Sequence, residues 1–342
     1  LDVGDRANDA IRVNGADIRA KVVGEGANLG CTQLGRVEYA LKGGRINTDA
    51  IDNSAGVDTS DHEVNLKILL ATPQRRGKLS MDARDTLLTE MTDDVAALVL
   101  EDNYEQTKAL SVAQSRGIKD LDAQARFMRD LEKRGKLDRA VEFLPSDEEM
   151  RKRGQDGKGL TRPELAVLLA YAKLDLDAEI LASDLPDDPY FESTLAAYFP
   201  EAVVKRFPDA LKQHRLRREI ISTVLANRIV NLAGPVFIHR VKEISSAPAA
   251  RVARAFVIAE GAFDLEALNA RIDGLDKKVH ADVQTTMYAS VAELLRRLGL
   301  WFLVNVPANA DITATVARYR KGVDSLRGTY SSLVSPYEMD DT

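Results

Sequence analysis

Lys21 to Leu70 reads KVVGEGANLGCTQLGRVEYALKGGRINTDAIDNSAGVDTSDHEVNLKILL. Val22 and Val23 lead into the turn Gly24-Glu25-Gly26-Ala27-Asn28. An amphipathic run follows, then a short polar approach, then Asn53-Ser54-Ala55-Gly56-Val57. A second helix is predicted to open at Asp58-Thr59-Ser60 and to carry Val64, Leu66, Ile68, Leu69 and Leu70. Strand, glycine turn, helix, strand, glycine turn, helix is the rhythm of an α/β unit, whose ligands collect beyond the carboxyl ends of parallel strands. Glycine suits such turns because a backbone that comes close to a flat ligand has no room for a Cβ. This stretch offers only two or three strands, too few for an independent sheet.

Upstream, Asp5 to Val13 predicts a short helix ended by Asn14-Gly15. Downstream, Thr72 to Lys78 is a polar joint with Pro73 and Gly77, and the domain boundary is placed there. Beyond it the apolar spacing turns helical. Leu87, Met91, Val95 and Val99 recur every four residues behind Ser80, a capping residue. Leu121, Met128 and Leu131 form another face, closed by Gly135. Phe143 to Lys158 is polar and glycine-bearing, and reads as an excursion or an exposed helical hairpin. Thr161-Arg162-Pro163-Glu164 is a capping box that opens an apolar helix through Leu165, Leu168, Leu169 and Ala172. The proline-bearing Asp184 to Asp188 reads as a loop. Leu211 to Ala247 reads as one helix or two, with a break near Gly234-Pro235. More helical pattern runs to Leu326, and Leu165, Leu168, Leu169, Val224, Leu225 and Trp301 are predicted to lie inside. The expected fold is therefore mainly α. An incomplete Rossmann-like segment (residues 1–78) is followed by a large all-helical domain (residues 79–342).

Composition narrows the class. The chain has 342 residues, 45% of them apolar, and a net charge of −6. That acidic balance disfavours nucleic acid as a partner. Cys31 is the single cysteine, so no internal disulfide can form and a cytoplasmic setting fits. No apolar run reaches the ~20 residues of a membrane helix, so no membrane partner is expected. The chain begins with Leu1 and carries no signal-peptide pattern, and is read as a piece of a longer protein.

The turn Glu25-Gly26-Ala27-Asn28, then Asn53-Ser54-Ala55-Gly56-Val57, then Ser60 resemble, in order and separation, the late half of the NAD domain in the glutamate, leucine and phenylalanine dehydrogenase superfamily. GDRANDAIRVNGADIRAKVVGEGANLG and NSAGVDTSDHEVN are similar to the very large bacterial NAD-specific glutamate dehydrogenases. The resemblance covers the chain as the C-terminal part of such a protein. It implies oxidative deamination of L-glutamate to 2-oxoglutarate and ammonium with reduction of NAD, in a homo-oligomer of the longer protein. It implies that Gly26, Ala27, Asn28 and Asn53 bind the cofactor. It implies too that Ser60 holds the substrate side-chain carboxylate, although Ser60-Asp61-His62-Glu63 also fits a capping box. Asp61-His62 stands where smaller members carry an aromatic pair. The catalytic lysine and aspartate of that family have no counterpart in this chain and are expected upstream, as is a G-x-G-x-x-G turn.

The rival reading is a non-catalytic helical interaction module with a vestigial α/β edge. Asp58, Asp61, His62 and Glu63 crowd one helical turn and do not converge on a metal, so none is expected. Cys31 reads as a packed small residue rather than a nucleophile, and His214-Arg215-Leu216-Arg217-Arg218 as a basic knot that pairs with acidic helix faces or a subunit neighbour. His239 and His280 have no context that raises them above ordinary residues.

Overall fold

The computed structural model describes residues 4–26 and 30–333. Two strands of two residues each, β1 (Val22–Val23) and β2 (Arg45–Ile46), pair in parallel, Val22 opposite Arg45 and Val23 opposite Ile46. The helix α1 (Gln33–Leu41) makes the crossover between them. Thr32 caps it, its hydroxyl accepting the Gly35 N–H at 3.1 Å. Tyr39 of α1 is buried and donates its hydroxyl to Ala20 O at 2.8 Å. Upstream, the expected helix over 5–13 is only a 3₁₀ turn, Asp9–Ile11. The Asp5 carboxylate there accepts bonds from Ala7 N and Asn8 Nδ2, a local arrangement that competes with a helix, and the turn buries no residue.

After β2 come α2 (Asp49–Asp52) and α3 (Ser54–Arg75). The expected start of α3 at Asp58 is corrected: it begins at Ser54, directly after Asn53. The polar joint is narrower than expected as well. Pro73 sits inside α3 and is buried, and the helix ends in a turn at Gly77 (φ +68°) with Lys78 N donating to Pro73 O at 2.9 Å.

The rest of the described chain is helical, as expected, with no strand after Ile46 among the described residues. α4 (Met81–Glu90) and α5 (Thr92–Arg116) share the Leu87, Met91 and Val99 face across a break at Met91. α6 (Ile118–Lys133) buries Leu121, Met128 and Leu131 and ends at Gly135 (φ +67°). α7 (Asp147–Gln155) lies within the polar excursion, and Arg153 from it donates two bonds to Glu164. α8 (Arg162–Leu181) starts at the expected capping box, where the Thr161 N–H and hydroxyl both donate to Glu164 Oε2 at 2.7 Å. A 3₁₀ turn, Leu185–Asp187, occupies the expected loop, and a second, Pro189–Phe191, follows it. α9 (Glu192–Ala197), α10 (Glu201–Arg206) and α11 (Pro208–Lys212) are short, and α12 (Arg217–Ala233) is long.

Packing divides the chain after Val236. The boundary expected at residue 78 lies inside the first unit, whose core joins α3, α5, α8 and α12 through Leu66, Leu70, Leu110, Leu168, Leu169, Ile221 and Leu225. Val224 is half-buried. The break expected near Gly234-Pro235 is present, with Gly234 at φ +90°. The second unit comprises α13 (Phe237–Ser245), α14 (Ala249–Phe263), α15 (Leu265–Asp273), α16 (Ala281–Asn305) and α17 (Ile312–Leu333). α14 is its central element, with Val252, Ala253, Phe256 and Ala259 fully buried. Trp301 corrects the predicted interior, being 46% exposed. Leu295, Gly299 and Phe302 take the inward positions of α16 at spacings of four and three, so Trp301 falls beside that stripe. Its ring instead meets Phe302 and Tyr319 edge-on, 5.1 and 5.5 Å between centroids. No single helix among the described residues is long and apolar enough to cross a membrane.

Candidate functional site

The described part of the glycine turn after β1, Gly24 to Gly26, holds a buried acid. Glu25 is 5% exposed, and its carboxylate accepts two bonds from Arg36 of α1, at 2.5 and 2.9 Å, and one from Cys31 N at 2.8 Å. Arg36 also meets Asp49 at 3.2 Å. The Glu25 N–H donates to Asp52 Oδ2 at 2.9 Å, and Asp52 Oδ1 accepts from Asn47 Nδ2 at 2.6 Å. The turn is thereby tied to the residue immediately before Asn53. Burial, and then the neighbouring Glu25 carboxylate, pushes the Cys31 thiol up, which keeps it protonated and weakly nucleophilic.

Of the residues expected at the cofactor, Gly26 is exposed, and a Cβ there would meet nothing within 4 Å. Ala27 and Asn28 lie outside the described residues. Asn53 sits at the α2–α3 junction with φ −119° and ψ 38°. A Cβ on Gly56 would come within 3.0 Å of Asn53 Oδ1, so glycine leaves room for that amide over the first turn of α3. Asn103 of α5 steadies the junction, its amide donating to Ile51 O and Ser54 Oγ at 3.0 and 2.9 Å. Arg162 braces it from α8, reaching Asn47, Ser111 Oγ and Thr107 O.

Ser60 is not a cap. It lies about 9 Å along α3 from Ser54, at 1.5 Å per residue, and its hydroxyl donates to Val57 O at 2.7 Å. It is exposed on the face that also presents Val57 (67% exposed) and Val64 (52% exposed), at spacings of three and four. The same face continues into an open cleft of about 520 Å³ whose basic residues are Lys67, Arg75, Arg76 and Arg215. The opposite face of α3 buries His62, Leu66, Leu69 and Leu70.

His62, expected only to crowd one helical turn with its acidic neighbours, is 2% exposed and stacks on Tyr198, 4.3 Å between centroids and 16° between planes. Asn65 donates to the Tyr198 hydroxyl at 2.9 Å. One ligand atom each from Asp58, His62 and Asp102 of α5 lie within 4.8 Å of one another. Burial lowers the His62 pKa against the pull of Asp102 and Asp61. Burial, then Asp61, raises that of Asp58, and burial, then Asp58, raises that of Asp102. Burial brings Lys173 of α8 down to about 8, opposed by Asp102 and Asp58. Spacing within α3 could not show this convergence, because its third member comes from another helix.

The parallel strand–helix–strand unit, followed by an asparagine at the head of a long helix, defines a small α/β class of chain at this end. Comparison with known proteins narrows that class. Residues 1–113 match the family described as bacterial NAD-glutamate dehydrogenase, catalytic domain, and residues 157–342 the family described as glutamate dehydrogenase, C-terminal. The chain is 49% identical over 325 residues to an NAD-specific glutamate dehydrogenase of Pseudomonas aeruginosa, covering 95% of this chain and 20% of that protein. It is 47% identical over 302 residues to that of Halomonas elongata, covering 88% of this chain and 19% of the relative. With that of Mycobacterium tuberculosis the identity is 42% over 325 residues, covering 95% and 20%. The chain belongs to the family described as glutamate dehydrogenase, C-terminal, whose match spans more than half of it. It spans about a fifth of the length of these curated relatives.

Proposed function

We propose that this chain supplies one wall of the nicotinamide and substrate pocket of an NAD-dependent glutamate dehydrogenase, together with a helical domain. The reaction converts L-glutamate, water and NAD⁺ into 2-oxoglutarate, ammonium, NADH and a proton. The carrying observation is the α2–α3 junction, where Asn53 follows the parallel β1–α1–β2 unit and Gly56 clears space for its amide. On this reading residues 1–78 are the C-terminal part of a Rossmann-like NAD domain. Gly26, Ala27, Asn28 and Asn53 line the cofactor. An amide suits the nicotinamide–ribose because it offers a donor and an acceptor without charge. Ser60, on the exposed face of α3, takes the side-chain carboxylate of glutamate. NAD, when bound, supplies the hydride acceptor. The groups that activate the amine and move its proton belong to a part of the protein beyond these residues, and the longer protein assembles as a homo-oligomer.

The purified 342-residue chain should therefore form no NADH from glutamate and NAD⁺. Absorbance of NADH reads this directly. Turnover by the chain alone would overturn the assignment of the catalytic groups to another part of the protein.

A further inference from the structure

The geometry points to a divalent-metal site at Asp58, His62 and Asp102, which would clamp α3 to α5. It rests on these side chains alone and holds or falls independently of the pocket reading above. Asp58 and His62 stand four residues apart on α3, so their side chains share one face, and Asp102 approaches from α5. Imidazole with two carboxylates suits a first-row transition cation such as Zn²⁺ or Mn²⁺ better than Mg²⁺ or Ca²⁺, which favour all-oxygen sets.

A buried structural network would satisfy its own polar atoms. This cluster does so only in part, through a hydrogen bond between the Asp58 and Asp102 carboxyls. Asp58 Oδ2 and both ring nitrogens of His62 are buried without a hydrogen-bond partner, and the closest approach of His62 Nε2 to Asp58 Oδ1 is 3.8 Å. His62 is 2% exposed, and its ring is held in plane by Tyr198, itself anchored by Asn65. Ring orientation of this kind is what a ligating histidine needs. Asp102 is exposed as a residue while its carboxyl reaches back to the other two, which leaves an entry path from solvent. The opposing feature is Lys173, whose charge acts on both carboxylates. With His62 neutral, two ionised carboxylates against one ammonium leave the cluster one positive charge short of balance.

The full-length protein, freed of metal with a chelator, should bind one Zn²⁺ or Co²⁺ per chain in a calorimetric titration, and Co²⁺ should develop visible ligand-field absorption. His62→Gln and Asp102→Asn should each weaken the affinity about tenfold or more and abolish the absorption. Asp61→Asn, which removes a neighbouring charge outside the triad, should leave both within about twofold. Asp102→Asn lies at the exposed mouth and serves if His62→Gln fails to fold. Absence of saturable binding, or binding unchanged in Asp102→Asn, would overturn the site and leave the cluster as a charge network balanced by Lys173.

Discussion

Glu25→Ala should destabilise the first unit by about 3 kcal/mol. Glu25 and Arg36 side chains are 4% and 6% exposed, so the substitution strands a buried guanidinium. Breaking such a pair costs about 3–5 kcal/mol. The lower end applies because Asp49 still faces Arg36 at 3.2 Å. The Cys31 N–H also loses its acceptor. Differential scanning calorimetry should show the transition of this unit falling by about 6–12 °C, at 2–4 °C per kcal/mol for a unit of this size. The pair as a whole is a different matter, since replacing both ions with apolar groups is often neutral. Glu25→Met with Arg36→Met should therefore lose less than Glu25→Ala alone. Equal losses would mean that the carboxylate acts through the backbone turn rather than through Arg36.

Ser60→Ala in the full-length enzyme should lower kcat/KM for glutamate by roughly one to two orders of magnitude. A hydrogen bond to a charged carboxylate contributes about 1.5–3 kcal/mol, and ~1.4 kcal/mol is tenfold. Stability should hold to within about 0.5 kcal/mol, because the hydroxyl is exposed and bonds only to Val57 O within its own helix. The KM for NAD⁺ should not move. A fall in melting temperature with unchanged glutamate kinetics would remove Ser60 from the substrate pocket.

The periodic and capping signals carried over into the fold. The Thr161–Glu164 box opens α8, and the Gly234-Pro235 break ends α12. Those signals act over a few residues and need no partner from elsewhere in the chain. The start of α3 was misplaced because glycine and serine are weak helix formers, and what secures that turn is Asn103, from α5. Pro73 is tolerated inside α3 because it is buried in packing that the local sequence does not display. Trp301 is expected inside from the apolar spacing of its segment, whereas its position beside the Leu295, Gly299 and Phe302 stripe decides otherwise. At the site, the residues of the family motif were legible one by one. Their supports were not: Glu25 with Arg36, Asp52 with the turn, and Asp102 with His62 are pairs made by the fold.

The most direct test of the pocket assignment is a structure of the full-length enzyme with NAD⁺ and 2-oxoglutarate bound. The account predicts the Asn53 amide within about 2.7–3.2 Å of the nicotinamide carboxamide or its ribose. It predicts Ser60 Oγ at about 2.5–3.0 Å from the distal carboxylate of 2-oxoglutarate. NAD⁺ bound elsewhere, with the face of α3 that carries Val57, Ser60 and Val64 still open to solvent, would contradict it.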